Sequence, residues 1–87
     1  MKDQPTVLVL GASHDQLYLI ETAKRMGCYV LAVDIDPMAA AFVRADEKAL
    51  ISTRDIDGLL TFVRAYRRRR SINAVITMGS EIPMTIA

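Results

Sequence analysis

Tryptophan is absent from these 87 residues, and cysteine and histidine occur once each. A lone cysteine, Cys28, cannot close an internal disulfide, which points to a reducing compartment. It follows a glycine and has no partner base, so it reads as a half-buried thiol rather than a nucleophile. His14 has no second ligand candidate near it in sequence and reads as a solvent-facing loop residue; no metal site is expected. An excess of one charge is lacking too. Eleven Lys and Arg against ten Asp and Glu leave +1, which gives no reason to expect nucleic acid or an anionic membrane as a partner. No apolar run approaches the roughly 18 residues of a membrane span. The opening Met1-Lys2-Asp3-Gln4-Pro5 lacks the apolar stretch of a signal peptide. A cytoplasmic protein is expected. Repeats, linkers and low-complexity segments are absent as well.

What the chain does have is apolar patterning. Hydrophobic residues make up 52% of it, enough for one domain near the lower practical size for a self-sufficient core. Residues 6–10 are uniformly apolar after the first, as in a parallel strand buried on both faces. The run ends abruptly at Gly11. Ser13-x-x-Gln16 then has the form of a capping box. Leu19, Ile20, Ala23 and Met26 share one face of the helix expected to follow, and Gly27 supplies its left-handed cap. A second strand is predicted over 29–33. Asp36-Pro37 predicts an N-cap and first helical position, with a short helix over 37–44.

A third strand is expected over 48–51. Thr53 or Asp55 can cap the next helix, which buries Ile56, Leu59, Leu60 and Val63. Arg67, Arg68, Arg69 and Arg70 close it as a solvated cap complementing the helix dipole. The fourth strand, over 74–78, leads into Gly79, Ser80 and Glu81. Residues 82–87 read as the first turn or two of another helix, with no stop signal. The chain is therefore expected to be part of something longer, with apolar surface that favours self-association.

Right-handed crossovers reduce the topology to a small three-layer α/β domain of Rossmann-like type. Its four parallel strands take the order 3-2-1-4, the first two helices lie on one face, and the Arg-rich helix lies on the other. Strand order reverses between strands 1 and 4, and ligands gather at such switch points outside the strand carboxyl ends. The loop carrying Gly11, Ser13, Asp15 and Gln16 is thereby expected beside Gly79, Ser80 and Glu81.

Gly11-x-Ser13-x-x-Gln16 is a dinucleotide fingerprint with two of its three glycines replaced, and Asp15 puts a negative charge where phosphates would lie. Asp34 ends strand 2 about where a ribose-binding acid is expected. Ser13 and Gln16 serve equally well as a simple cap. Asp34 and Asp36 have the side chains to bind a cation or ribose, although Asp36 already serves as a cap. Glu81 either faces the shared crevice with Asp15 or only favours the positive end of the following helix.

The assembled pattern has further parts: Val-Leu-Gly-Ala-x-x-x-Gln-Leu, then Glu-Thr-Ala-Lys-Arg-Met-Gly-Cys-Tyr-Val-Leu-Ala-Val-Asp-Ile-Asp-Pro, then Arg-Ala-Asp-Glu at 44–47, then Thr-Met-Gly-Ser-Glu-Ile-Pro at 77–83. Together, and over nearly the whole chain, they resemble the N-terminal, pre-ATP-grasp domain of ATP-grasp ligases, particularly those similar to the carbamoyl-phosphate synthase large subunit. The resemblance implies that residues 1–87 precede an ATP-grasp module holding ATP and magnesium, where ligation proceeds through an acyl phosphate. It also implies that residues 11–17 and 79–81 wall the pocket of a small-molecule acceptor. Gly11, Ser13, Asp15, Gln16, Gly79, Ser80 and Glu81 are then the substrate-binding candidates. No catalytic, cofactor or metal residue is expected in this chain. Glycine is common in the family where Ser13 and Asp15 stand, which weighs against phosphate-bearing substrates. The ATP-grasp module is absent from these residues, so it would act in cis or in trans. Two other readings are a small nucleotide- or dinucleotide-binding module and a docking subunit for a separate ATP-grasp protein.

Overall fold

The computed structural model describes residues 4–77. Strand β1 (Thr6–Leu10) is the most deeply buried element, every residue of it inaccessible or nearly so. A 3-10 turn over His14–Gln16 leads into helix α1 (Leu17–Arg25), and β2 (Tyr29–Asp34) follows. A second 3-10 turn (Ala40–Arg44), β3 (Glu47–Leu50), helix α2 (Ile56–Tyr66) and β4 (Ala74–Thr77) complete the order. The sheet is parallel throughout, in the order β3-β2-β1-β4. This is the α/β topology that the crossover rule predicts.

Side chains alternate across a strand, and both faces of this sheet are covered. Val7, Val9, Val30 and Ala32 pack under α1 and the second 3-10 turn, with Ile20, Ala23, Ala41 and Phe42. Leu8, Leu10, Leu31 and Val33 pack on the opposite face against Leu59, Val63 and Tyr66 of α2. Leu8, Leu31 and Leu59 are fully buried, each worth roughly 1.5–3 kcal/mol. The division of helices between the faces is the expected one. None among the described residues is long and apolar enough to cross a membrane.

Several local expectations need correction. Gln16 N–H donates to the Ser13 carbonyl at 3.0 Å, closing the 3-10 turn. The Ser13 hydroxyl then has no amide to accept and donates to Gln16 Oε1 instead. No capping box forms, and α1 begins only at Leu17. Met26 lies beyond the last turn of α1, 75% exposed, while Ile20 and Ala23 carry the buried stripe. Gly27 does terminate the helix, at φ +89°: its N–H reaches Lys24 and that of Cys28 reaches Ala23.

Asp36 caps a turn, not a helix. Its carboxylate accepts from Met38 N–H at 2.9 Å and its carbonyl from Ala39 N–H at 3.0 Å. Ala41 N–H is drawn away to the Ala12 carbonyl at 2.8 Å, so no α-helical ladder can start at Pro37. Only the 3-10 turn of Ala40–Arg44 results. Asp55, not Thr53, caps α2 by accepting from Gly58 N–H. Leu59, Val63 and Tyr66 form the buried stripe of α2, and Ile56 and Leu60 flank it half-buried. β3 starts one residue earlier than predicted. β4 is described to Thr77; Met78 and the helix start expected over 82–87 lie outside the described residues.

The arginine run is more than a solvated cap. Arg67 and Arg68 are exposed, but Arg69 donates to Glu47 Oε2 at 2.9 Å, and the Arg70 guanidinium sits 3.8 Å from the centre of the Tyr29 ring. Glu47 also accepts from the Tyr66 and Tyr29 hydroxyls, at 2.9 and 3.1 Å. Burial alone would raise the Glu47 carboxyl, but the bonds from Tyr66, Arg69 and Tyr29 outweigh it and hold the group below its ordinary value. Burial, then the bond to Glu47, pushes the Tyr66 phenol up to about 12. The network lies at the amino ends of β1, β2 and β3, away from the switch point.

Candidate functional site

The reversal of strand order falls between β1 and β4, where Leu10 pairs with Thr77. The chain leaves β1 through Gly11 at φ +103°, a conformation that suits glycine, with its N–H still bonded to the Val33 carbonyl at 2.7 Å. Ala12, completely buried, donates its N–H to Asp34 Oδ2 at 2.9 Å. Asp34 Oδ1 accepts from Asp36 N–H at 3.0 Å. The carboxylate at the end of β2 therefore ties the loop after β1 to the loop after β2. Nothing in the sequence pattern separates this role from that of a ribose ligand; the 22-residue contact with Ala12 exists only in three dimensions.

Of the candidate residues, Ser13 and Asp15 are exposed on the loop, and Gln16 is buried. The Gln16 carboxamide lies over Gly11: a Cβ placed on that glycine would stand 3.4 Å from both Cδ and Nε2. His14 is exposed, as expected of a loop residue. Cys28 is half-buried. Gly79, Ser80 and Glu81 lie outside the described residues, so the described part of the crevice is the β1 side alone. Among the described residues no three His, Cys, Asp or Glu side chains come together to hold a metal ion.

Sequence reasoning singled out Asp34 only as a ligand for ribose or a cation, and gave Glu47 no role. Asp34 fixes the loop, and Glu47 gathers Tyr29 of β2, Tyr66 of α2 and Arg69 of the turn after α2. For Asp34 the signal was its position at a strand end; for Glu47 there was none.

A parallel sheet with a topological switch and a glycine turn after its first strand defines a Rossmann-like domain, a fold in which ligands gather at the strand carboxyl ends. No family model matches the chain. Over 62 residues, 71% of its length, it is 36% identical to the formate-dependent phosphoribosylglycinamide formyltransferase of Parasynechococcus marenigrum (strain WH8102). The match spans only 16% of that protein. The likeness supports an ATP-grasp-related N-terminal domain. That relative is a formyltransferase rather than a carbamoyl-phosphate synthase, so the resemblance is supported at the broader level of ATP-grasp enzymes.

Proposed function

We propose that the chain is the N-terminal substrate-binding scaffold of an ATP-dependent carboxylate–amine ligase of the ATP-grasp kind, working with an ATP-grasp module in cis or in trans. The observation that carries the reading is the 62-residue likeness to part of the formyltransferase, taken with a loop at the switch point that exposes Ser13 and Asp15. Gly11 turns the chain, Ser13 and Asp15 offer hydroxyl and carboxylate to a small-molecule acceptor, and Gln16 shapes the floor. Gly79, Ser80 and Glu81 form the opposite wall in this reading. The relative's acceptor, by its name, is a phosphoribosyl compound; for this chain only the polar acceptor end is taken over. A carbamoyl-phosphate-synthase-like chemistry is a finer form of the same proposal.

In this reading ATP and magnesium are assigned to the ATP-grasp module. ATP supplies the activation of the carboxylate there; this chain binds and orients the acceptor. A dinucleotide-binding role draws no support from a loop whose glycine is covered by Gln16.

The test is kinetic. ADP release is measured for the chain acting with its ATP-grasp module across a panel of small amines, with formate and other carboxylates as donors. Asp15→Asn and Glu81→Gln are each expected to raise the acceptor KM about tenfold, the scale of one charge-assisted contact. The ATP KM should stay unchanged, because only acceptor binding weakens. Unchanged acceptor kinetics in both variants would refute the assignment.

A further inference from the structure

We infer that Gln16 is a specificity-determining residue that closes the switch-point loop to phosphate groups, so that the acceptor is a neutral or cationic, phosphate-free molecule. This deepens the proposed function and rests on the loop after β1 being the acceptor wall. In a phosphate-binding loop of this topology, the glycines let backbone N–H groups approach the anion closely. Here that approach is taken up from inside at three of the loop's amides. Gly11 N–H is bonded to the Val33 carbonyl, Ala12 N–H to the Asp34 carboxylate, and Gln16 N–H to the Ser13 carbonyl. The Asp34 carboxylate holds the place at Ala12 that an incoming anion would need.

The space above Gly11 is filled as well. The Gln16 carboxamide stands within van der Waals distance of where a Gly11 Cβ would be, and the Ser13 hydroxyl holds its oxygen. With glycine at position 16 that volume would be open. The electrostatics point the same way. Along the carboxyl edge of the sheet, the strand end and loops after β1, β2 and β3 carry Asp15, Asp34, Asp36 and Asp55 against one arginine, Arg54, and His14. A polyanion meets like charge there, whereas an amine or hydroxyl finds acceptors.

The experiment is a titration of the isotopically labelled 87-residue chain with inorganic pyrophosphate, followed through its backbone amide resonances. The wild-type chain is expected to show no saturable shift at Gly11 to Gln16 up to about 10 mM, the range of non-specific association. Gln16→Gly should bring saturable shifts at Ser13, His14 and Asp15 at a concentration about tenfold lower, the scale of one charge-assisted hydrogen bond, while the Gly11 and Ala12 amides stay bonded to Val33 and Asp34. Gln16→Ala, which keeps a Cβ and removes the carboxamide, serves if the glycine variant does not fold, with an intermediate response expected. Saturable submillimolar binding of pyrophosphate to these amides in the wild type overturns the inference. A folded Gln16 variant no more responsive than the wild type overturns it equally, by removing Gln16 as the cause. Because the loop is read directly and no acceptor is used, these outcomes stand apart from the kinetic test of the proposed function.

Discussion

Replacing Asp34 by alanine distinguishes a carboxylate that waits for a ligand from one that holds the fold together. In the structure its two oxygens take the N–H groups of Ala12 and Asp36. Asp36 is exposed, so water replaces that bond at little cost. Ala12 is completely buried, and a buried amide left without an acceptor costs about 1–3 kcal/mol. The expected loss is therefore about 2 kcal/mol, which lowers Tm by roughly 8–16 °C in a domain of this size. Asp34→Asn keeps a carbonyl for Ala12 and should lose about half as much. Urea unfolding followed by far-ultraviolet circular dichroism gives the free energy, with an unchanged slope showing that the compactness of the two states is the same. Hydrogen exchange at the Ala12 amide should accelerate in the alanine variant. If Asp34 were an idle ligand acid, its removal would fall within the ±0.5 kcal/mol or so typical of surface substitutions. A loss below about 0.5 kcal/mol would therefore refute the loop-tie argument.

The Tyr66 phenol, raised from 10.0 to about 12, makes the fold sensitive to alkali. A raised folded value favours the protonated form, so its contribution is complete below pH 10 and is lost as pH rises to about 12. Ultraviolet titration of phenolate should show a late step that Tyr66→Phe abolishes and Glu47→Gln moves earlier; ionisation of every tyrosine by about pH 10.5 would count against it. At the acid end, Glu47 is held below its ordinary 4.5, so the stability it contributes is present above that pH and disappears as pH falls through the depressed value. Gly27→Ala meets no neighbour within 4 Å but inherits φ +89°. It should cost about 1 kcal/mol, the left-handed penalty partly offset by a less free unfolded chain, whereas Gly27→Asn should cost less; equal stability of all three proteins in thermal melts would contradict this.

Much of the architecture was legible because it rests on local pattern. The apolar run of β1, the glycine that stops it and the glycine that ends α1 are properties of short segments. Strand order follows from right-handed crossovers once four strands are recognised. Expectations failed where backbone groups found partners far along the chain. Pro37 looked like a helix start, yet Ala41 N–H is claimed by Ala12. The arginine run looked solvated, yet Arg69 and Arg70 reach Glu47 and Tyr29.

For the candidate site the division is the same. By itself the sequence determined that Gly11, Ser13, Asp15 and Gln16 stand at the carboxyl ends of the strands, where ligands gather in sheets of this topology, because periodicity and chain direction suffice for that. Only the tertiary structure decided what those residues do. It turned Asp34 toward Ala12 and laid Gln16 over Gly11, because a buried N–H or carboxamide is satisfied by whatever polar group packing brings within reach, and that neighbour is not encoded in any local motif.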